Sequence, residues 1–470
     1  MHDHQHVNRF RQFLVDIRMA IEGKEKSYTS GSINRAIFLL SIPMVLEMSM
    51  ESLFAVVDVF FVGRLGVDAI ATVGLTESII MILYAIGVGL SMAVTAMVSR
   101  RIGENKRSEA ANSAYQAILV SVGIAILSGI VGFVYAKDLL RLMGASDSLI
   151  NTGYGYTKIL IGGNVTIMLL FVINAVFRGA GDAAIAMRVL WLSNGLNLVL
   201  DPLFIFGIGP FEGMGVQGAA IATTLGRGIG VIYQLYVLIR GKGMIRLLRK
   251  NMVYRARVMK RLVKVSMGGM GQYLIGTASW IILVRIISLF GSDAVAGYTI
   301  AFRIIIFTIL PSWGIANAAA TLVGQNLGAG QADRAEKSVW KCAYFNMIFL
   351  AILAIIFFIL AQEFVRIFNS DPGVIAHGVT ALRYICTGYI FFAYGMVVSQ
   401  AFNGAGDTRT PTIINFICYW LLQIPLAYVL AVKSTLEIQG IYLAILVSEL
   451  LLAILAVLIF RKGKWKLVNI

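Results

Sequence analysis

Three acids share the first long apolar stretch of the chain: Glu47, Glu51 and Asp58. At ~100° per residue they fall within an arc of about 40°, on one helix face. A later stretch carries Asn197 and Asp201 one turn apart, the next carries Thr223 and Thr224, and Glu77 stands in the second. A carboxylate deep in a membrane helix costs roughly 2.5–3.5 kcal/mol unless it finds a partner charge, a cation or a proton. Loss of water makes a carboxyl hold its proton more tightly, and a neighbouring carboxylate adds to the effect. Acids facing one another across a helix bundle can therefore exchange protons or hold a monovalent cation. Asp58, Asn197, Asp201 and Thr223 form the candidate coupling set. The alternative for Asp58 and Asp201 is a hydrated position near the interface, or a pair with a cation such as Arg64. Glu47, Glu51, Glu77 and Met48 are candidates to line a substrate cavity, with packing or a structural pair the alternative for Glu47 and Glu51. Pro43 and Pro202 lie in the same two stretches as Asp58 and Asp201, where a helix bend frees backbone carbonyls as ligands.

The elements that position these residues are written twice. Phe177-Arg-Gly-Ala-Gly-Asp182 recurs 225 positions later as Phe402-Asn-Gly-Ala-Gly-Asp407, and Asp68-Ala-Ile-Ala71 recurs as Asp293-Ala-Val-Ala296. Val98 with Gly103 answers to Val323 with Gly328 at the same offset. The composition is 58% hydrophobic and 14% charged, whereas soluble domains carry about 25% charged residues. The chain is therefore expected to be an all-α membrane protein of two homologous lobes. Apolar stretches of roughly 20 residues fall at 37–61, 69–98, 112–135, 153–177, 187–209, 216–239, 265–290, 296–322, 339–361, 378–402, 411–432 and 438–460. Twelve transmembrane helices, six in each bundle, follow. The organisation predicted is an N-terminal arm (1–32), an N-lobe (33–240), a basic linker (241–264), a C-lobe (265–460) and a tail (461–470).

Charge placement sets the expected orientation. The tails and even-numbered connections hold 30 of the 40 Lys and Arg, which places both termini in the cytoplasm. The net charge of +16 is thus topogenic and implies no nucleic-acid partner. The arm lacks the apolar core of a cleavable signal peptide and is expected at the inner leaflet, while Arg240 to Lys264 would meet anionic lipid. His2, His4 and His6 read as exposed, and Cys342, Cys386 and Cys418 as packing residues. In each repeated turn, glycine supplies the positive φ that closes one helix, and Asp182 or Asp407 caps the next.

Polar residues present in only one copy are the better functional candidates. At the constant offset Glu47, Glu51 and Asp58 answer to Gln272, Gly276 and Leu283, Asn197 and Asp201 to Leu422 and Leu426, and Glu77 to Phe302. The second half instead carries Arg285, Arg303 and Arg383, with Glu449 its main buried acid. These read as snorkelling or interhelical partners, with contact with substrate the alternative. Met44, Met48 and Met50 beside the helix-one acids suit a permissive pocket for amphipathic cations.

The chain resembles the MATE family of multidrug and toxic compound extrusion antiporters. The resemblance rests on Ser41-Ile42-Pro43, on Asp58 followed by Phe61-Val62-Gly63-Arg64-Leu65-Gly66, on both Gly-Ala-Gly-Asp turns, and on Val323-Gly324-Gln325-Asn326 with Gly328. It is closest to the DinF-like branch, in which a Pro and an Asp of helix one and an Asn and Asp of helix five form an N-lobe site. Pro43, Asp58, Asn197 and Asp201 match those positions. Helix seven, through Ser266-Met267-Gly268-Gly269 and Trp280, lacks the acid of the NorM-like branch. The resemblance implies a V-shaped pair of bundles with alternating access.

The function expected is efflux of amphipathic, cationic compounds in exchange for H⁺ or Na⁺, by a monomer in a bacterial or archaeal plasma membrane, without cofactor. The rival is a lipid-linked oligosaccharide flippase of related architecture, which would need a basic cavity. No phosphate-binding G-x-x-x-x-G-K-[ST] loop occurs, and no metal or nucleophile motif of an intramembrane enzyme.

Overall fold

The computed structural model describes residues 12, 14–23, 27–207, 212–241 and 243–470. His2, His4 and His6 lie outside them. The described chain is helical throughout. Its main elements are α1 (Ile33–Gly63), α2 (Val67–Gly103), α3 (Arg107–Leu142), α4 (Asp147–Ala180), α5 (Ala183–Phe206) and α6 (Val216–Arg240). The second set is α7 (Ala256–Phe290), α8 (Ser292–Gly328), α9 (Ala332–Ile359), α10 (Pro372–Thr387 with Tyr389–Ala405), α11 (Arg409–Val432) and α12 (Ile438–Arg461). Among the described residues ten helices are long and apolar enough to cross a membrane, and α10, bent by 56° at Gly388, makes an eleventh span. The 31-residue α1 completes the twelve.

The duplication is visible in the backbone. Helices α2 and α8 each have 37 residues, and each follows a glycine in a conformation closed to other residues, Gly66 (φ 99°) and Gly291 (φ 102°). Gly181 and Gly406 close their helices at φ 89° and 90°. The 225-residue register then slips. Gly215 (φ 57°, ψ −137°) opens α6 as Glu437 (φ 49°, ψ −134°) opens α12, an offset of 222. Val216-Gln217-Gly218 thus answers to Ile438-Gln439-Gly440, and Pro202, at an intermediate offset of 223, lines up with Pro425 instead of Ala427. Asp201 accordingly answers to Ile424, which corrects the constant-offset pairing while leaving the second copy without an acid there.

Several helices run past the predicted spans. Helix α2 continues from 98 to Gly103, α3 starts at Arg107 and ends at Leu142, and α7 starts at Ala256 instead of 265. Arg100 and Arg101 in the last turn of α2 complement its dipole, so the helix extends beyond the apolar belt. The linker packs on α3: Asn112 Nδ2 donates to the Asn251 and Val253 carbonyls (2.9 and 2.8 Å), and Gln116 to Val253 (2.7 Å). Met244, Ile245 and Leu247 are buried while Arg246, Arg249 and Lys250 face outward. Asp407 caps α11 as expected, accepting from the Thr410 N–H (3.1 Å) and hydroxyl (2.6 Å). Asp182 does not cap α5; it accepts the linker's Met244 N–H.

The lobes meet tightly at the end that holds the described part of the arm and the C-terminal tail. A Cβ on Gly103 would overlap the Gln325 carbonyl, and one on Gly328 would overlap the Arg100 carbonyl. Thr321 Oγ1 and Gln325 Nε2 donate to Arg178 and Gly179 carbonyls, both at 3.1 Å. The described part of the arm docks here: Ala20 and Tyr28 are buried, and Arg334 holds the Ser30 and Gly31 carbonyls at 2.9 Å. The tail folds back, with Trp465 stacked on Phe460 at 4.5 Å and Arg100 donating to the Val468 carbonyl. Cys342, Cys386 and Cys418 are free and buried.

Candidate functional site

In the N-lobe, α5 and α6 approach closely because α6 carries Gly226, where a Cβ would sit 2.9 Å from the Ser193 carbonyl. That contact brings three of the predicted residues together. Asn197 Nδ2 donates to Asp201 Oδ1 at 3.1 Å and to Thr223 Oγ1 at 3.2 Å. Asn197 is 2% exposed and Asp201 is 0% exposed. Their remaining acceptors, Asn197 Oδ1 and Asp201 Oδ2, are buried without a hydrogen-bond partner. Asp58, half-buried on α1, is close enough for its charge to act on Asp201. Thr224 packs instead against Gly163 at the break in α4. Pro43 and Pro202 lie inside helices that continue past them.

Of the other acids, Glu47 and Glu51 lie one turn apart near the middle of α1, and Glu77 lies on α2. Glu47 is 1% exposed and pairs with Arg178 at 2.7 Å, with Asn174 Nδ2 donating at 3.2 Å. Glu51 accepts from Asn194 Nδ2 at 3.1 Å. Glu77 lies within electrostatic reach of Asp58, of Arg227 and, across the lobes, of Arg303. Met48 is half-buried, one turn before Ser52, whose hydroxyl donates to its carbonyl.

Arg227 of α6 escaped the sequence reading. Its guanidinium lies 5.8 Å from the Phe54 ring centre, donates to Tyr84 Oη at 3.4 Å, and acts on Glu51 and Asp58. Arg64, considered as a partner for Asp58, sits over the Phe60 ring at 4.5 Å. A signal for Arg227 existed: it has no cationic counterpart in the second copy, and in the corrected register that position is Glu449.

The main cavity, about 460 Å³, lies in the C-lobe, with Val88 and Met92 of α2 on its N-lobe side. None of Glu47, Glu51, Glu77 or Met48 lines it. Glu449 is the one charged side chain among its lining residues and accepts from Tyr419 Oη at 3.1 Å. Beside it, Ser279 Oγ donates to Gln423 Oε1 (3.0 Å), and Gln423 Nε2 donates to Ser448 Oγ (2.9 Å). Of the C-lobe arginines, Arg383 lies over Phe358 and donates to its carbonyl at 3.2 Å, while Arg285 is exposed. Among the described residues no group of three His, Cys, Asp or Glu side chains converges.

Comparison with known proteins places this architecture. The MatE family matches residues 43–203 and again 270–429, one match per lobe. The chain is similar to a probable multidrug resistance protein NorM of Thermotoga maritima, 28% identical over 92% of this chain and 93% of that one. It is also similar to a FAD transporter of Shewanella oneidensis, 26% identical over 90% and 94%. A solved structure described as the outward-facing conformation of a multidrug resistance MATE family transporter of the MOP superfamily superposes with a TM-score of 0.87. That protein is 26% identical, over 93% of this chain and 98% of it. With twelve helices in two matched lobes, a polar N-lobe cluster and a C-lobe cavity, the chain belongs to the MATE family of multi-pass membrane transporters.

Proposed function

We propose that the protein is a secondary active antiporter that exports amphipathic cations in exchange for H⁺ or Na⁺. The observation that carries this reading is the pair of buried, unpartnered acceptors, Asn197 Oδ1 and Asp201 Oδ2, beside Thr223 and within reach of Asp58. Acceptor oxygens removed from water are stabilised by a proton or a small cation. Binding there couples to transport only if the ion and the drug favour different conformations. With both termini in the cytoplasm, the tightly packed end faces inward and the opposite end opens outward. A relative is named a FAD transporter, and FAD is anionic. The cavity here has an acid and no Lys or Arg among its lining residues, which supports cationic cargo over that, and over a lipid diphosphate. The test is efflux of a fluorescent cation from proteoliposomes by the wild type, Asp58→Asn and Asp201→Asn. Both variants are expected to insert normally and lose ion-driven efflux. Undiminished ion-driven efflux in both would sink the proposal.

A further inference from the structure

We infer that the C-lobe cavity is the binding site for planar aromatic monocations, anchored by Glu449 and stacked against Trp280 and Phe302. The inference rests on the reading of the protein as an exporter of amphipathic cations and adds where the cargo sits and what charge it carries.

Four observations converge. The volume, about 460 Å³, suits a drug-sized molecule, since ligand pockets run roughly 300–1,000 Å³. Glu449 stands near the middle of α12, half-buried, with one carboxylate oxygen held by the Tyr419 hydroxyl. One carboxyl therefore faces a mostly apolar space, where a bound cation favours its charged form. Trp280 and Phe302, both half-buried, stack at 5.1 Å and 28°, and Tyr298, buried between Phe302 and Tyr442, backs them. Such faces attract a delocalised cation by their quadrupoles and stack on its ring system. Ser399 Oγ, also in the lining, is buried without a hydrogen-bond partner and can meet a polar atom of the cargo.

The same features set selectivity. At one end of the cavity the amides satisfy one another: Gln272 and Asn403 exchange bonds of 2.9 and 3.1 Å, and Asn403 Nδ2 donates to Gln400 Oε1 at 2.8 Å. That end offers no further charge. A dication would leave one charge without a partner, and an anion would face Glu449 with no Lys or Arg in the lining. Cargo and coupling ion then occupy different lobes, so they communicate through the lobe arrangement and not by competing for one carboxylate.

The experiment is an equilibrium titration of the purified full-length protein in detergent with ethidium, followed by fluorescence anisotropy, and with propidium, a dication on the same ring system. The variants are Glu449→Gln and Glu449→Asp, each checked for a monodisperse elution profile. Expected are preference of the wild type for ethidium, at least ~10-fold weaker ethidium binding in Glu449→Gln, and partial recovery in Glu449→Asp. No ethidium binding by the wild type, or unchanged affinity in Glu449→Gln, would overturn the inference. Glu449-dependent binding without ion-driven efflux would leave it standing while the antiport reading fell. Ion-driven efflux with a Glu449-independent affinity would do the reverse.

Discussion

Glu47 and Arg178 form a buried ion pair at 2.7 Å, and their counterparts 225 residues on, Gln272 and Asn403, form a neutral amide pair at 2.9 Å. The duplication kept the contact and changed its charge. Removing one partner of a buried pair strands the other charge, which typically costs about 3–5 kcal/mol. Glu47→Gln and Arg178→Asn are each expected to lower the thermal unfolding midpoint in detergent. The double variant, which copies the C-lobe pair, is expected to recover most of that loss. Additive losses in the double variant would mean the two residues act independently.

Gly103 and Gly328 are a second repeated pair, each lying on the backbone of the other's helix. A methyl at either position has no room unless α2 and α8 separate. Spin labels at Lys106 and Lys337, both exposed on opposite lobes, report that separation. Gly103→Ala is expected to lengthen the label distance relative to wild type, and an unchanged distance would show that the contact is not limiting.

The tail closes the same end. Trp465 is 1% exposed, and Arg100 and Arg101 of the N-lobe hold the Val468 and Ile470 carbonyls. Trp465→Ala removes the anchor that brings those carbonyls within reach. The expected result is a longer Lys106–Lys337 label distance, without loss of ethidium binding in the C-lobe cavity.

Glu104 ties this region to pH. Burial raises its pKa, but hydrogen bonds and charge from Arg101 and Lys106 outweigh burial and hold it below the ordinary 4.5. A carboxyl with a lowered folded-state pKa contributes stability above its unfolded value and loses it as pH falls through the folded value. Unfolding midpoints measured from neutral pH downward are expected to fall below about pH 4.5 in the wild type. In Glu104→Gln that acid-side loss should be smaller; identical profiles would exclude this group.

Much of the architecture was legible because it rests on local rules. Twelve apolar stretches, repeated glycines with positive φ and Asp407 as a cap all depend on residues close in sequence. The grouping of Asn197, Asp201 and Thr223 was legible from helix spacing and from the lack of acids in the second copy. Three features were not. The register slip, which begins before Pro202 and reaches 222 at Gly215, hides the match of Arg227 with Glu449, because a constant offset compares the wrong residues. Asp182 leaves its cap for the Met244 N–H, a partner 62 residues away that only folding brings near. The C-lobe cavity arises from α7, α8, α10, α11 and α12 together, so no single stretch announces it.

Exchange of a cation at the N-lobe cluster for an organic cation is read out by ethidium efflux from proteoliposomes under separately imposed pH and Na⁺ gradients. One of the two gradients is expected to drive wild-type efflux, its reversal to reverse the flux, and Asp201→Asn to abolish the response. Efflux that ignores both gradients, or that responds equally in wild type and Asp201→Asn, would contradict it.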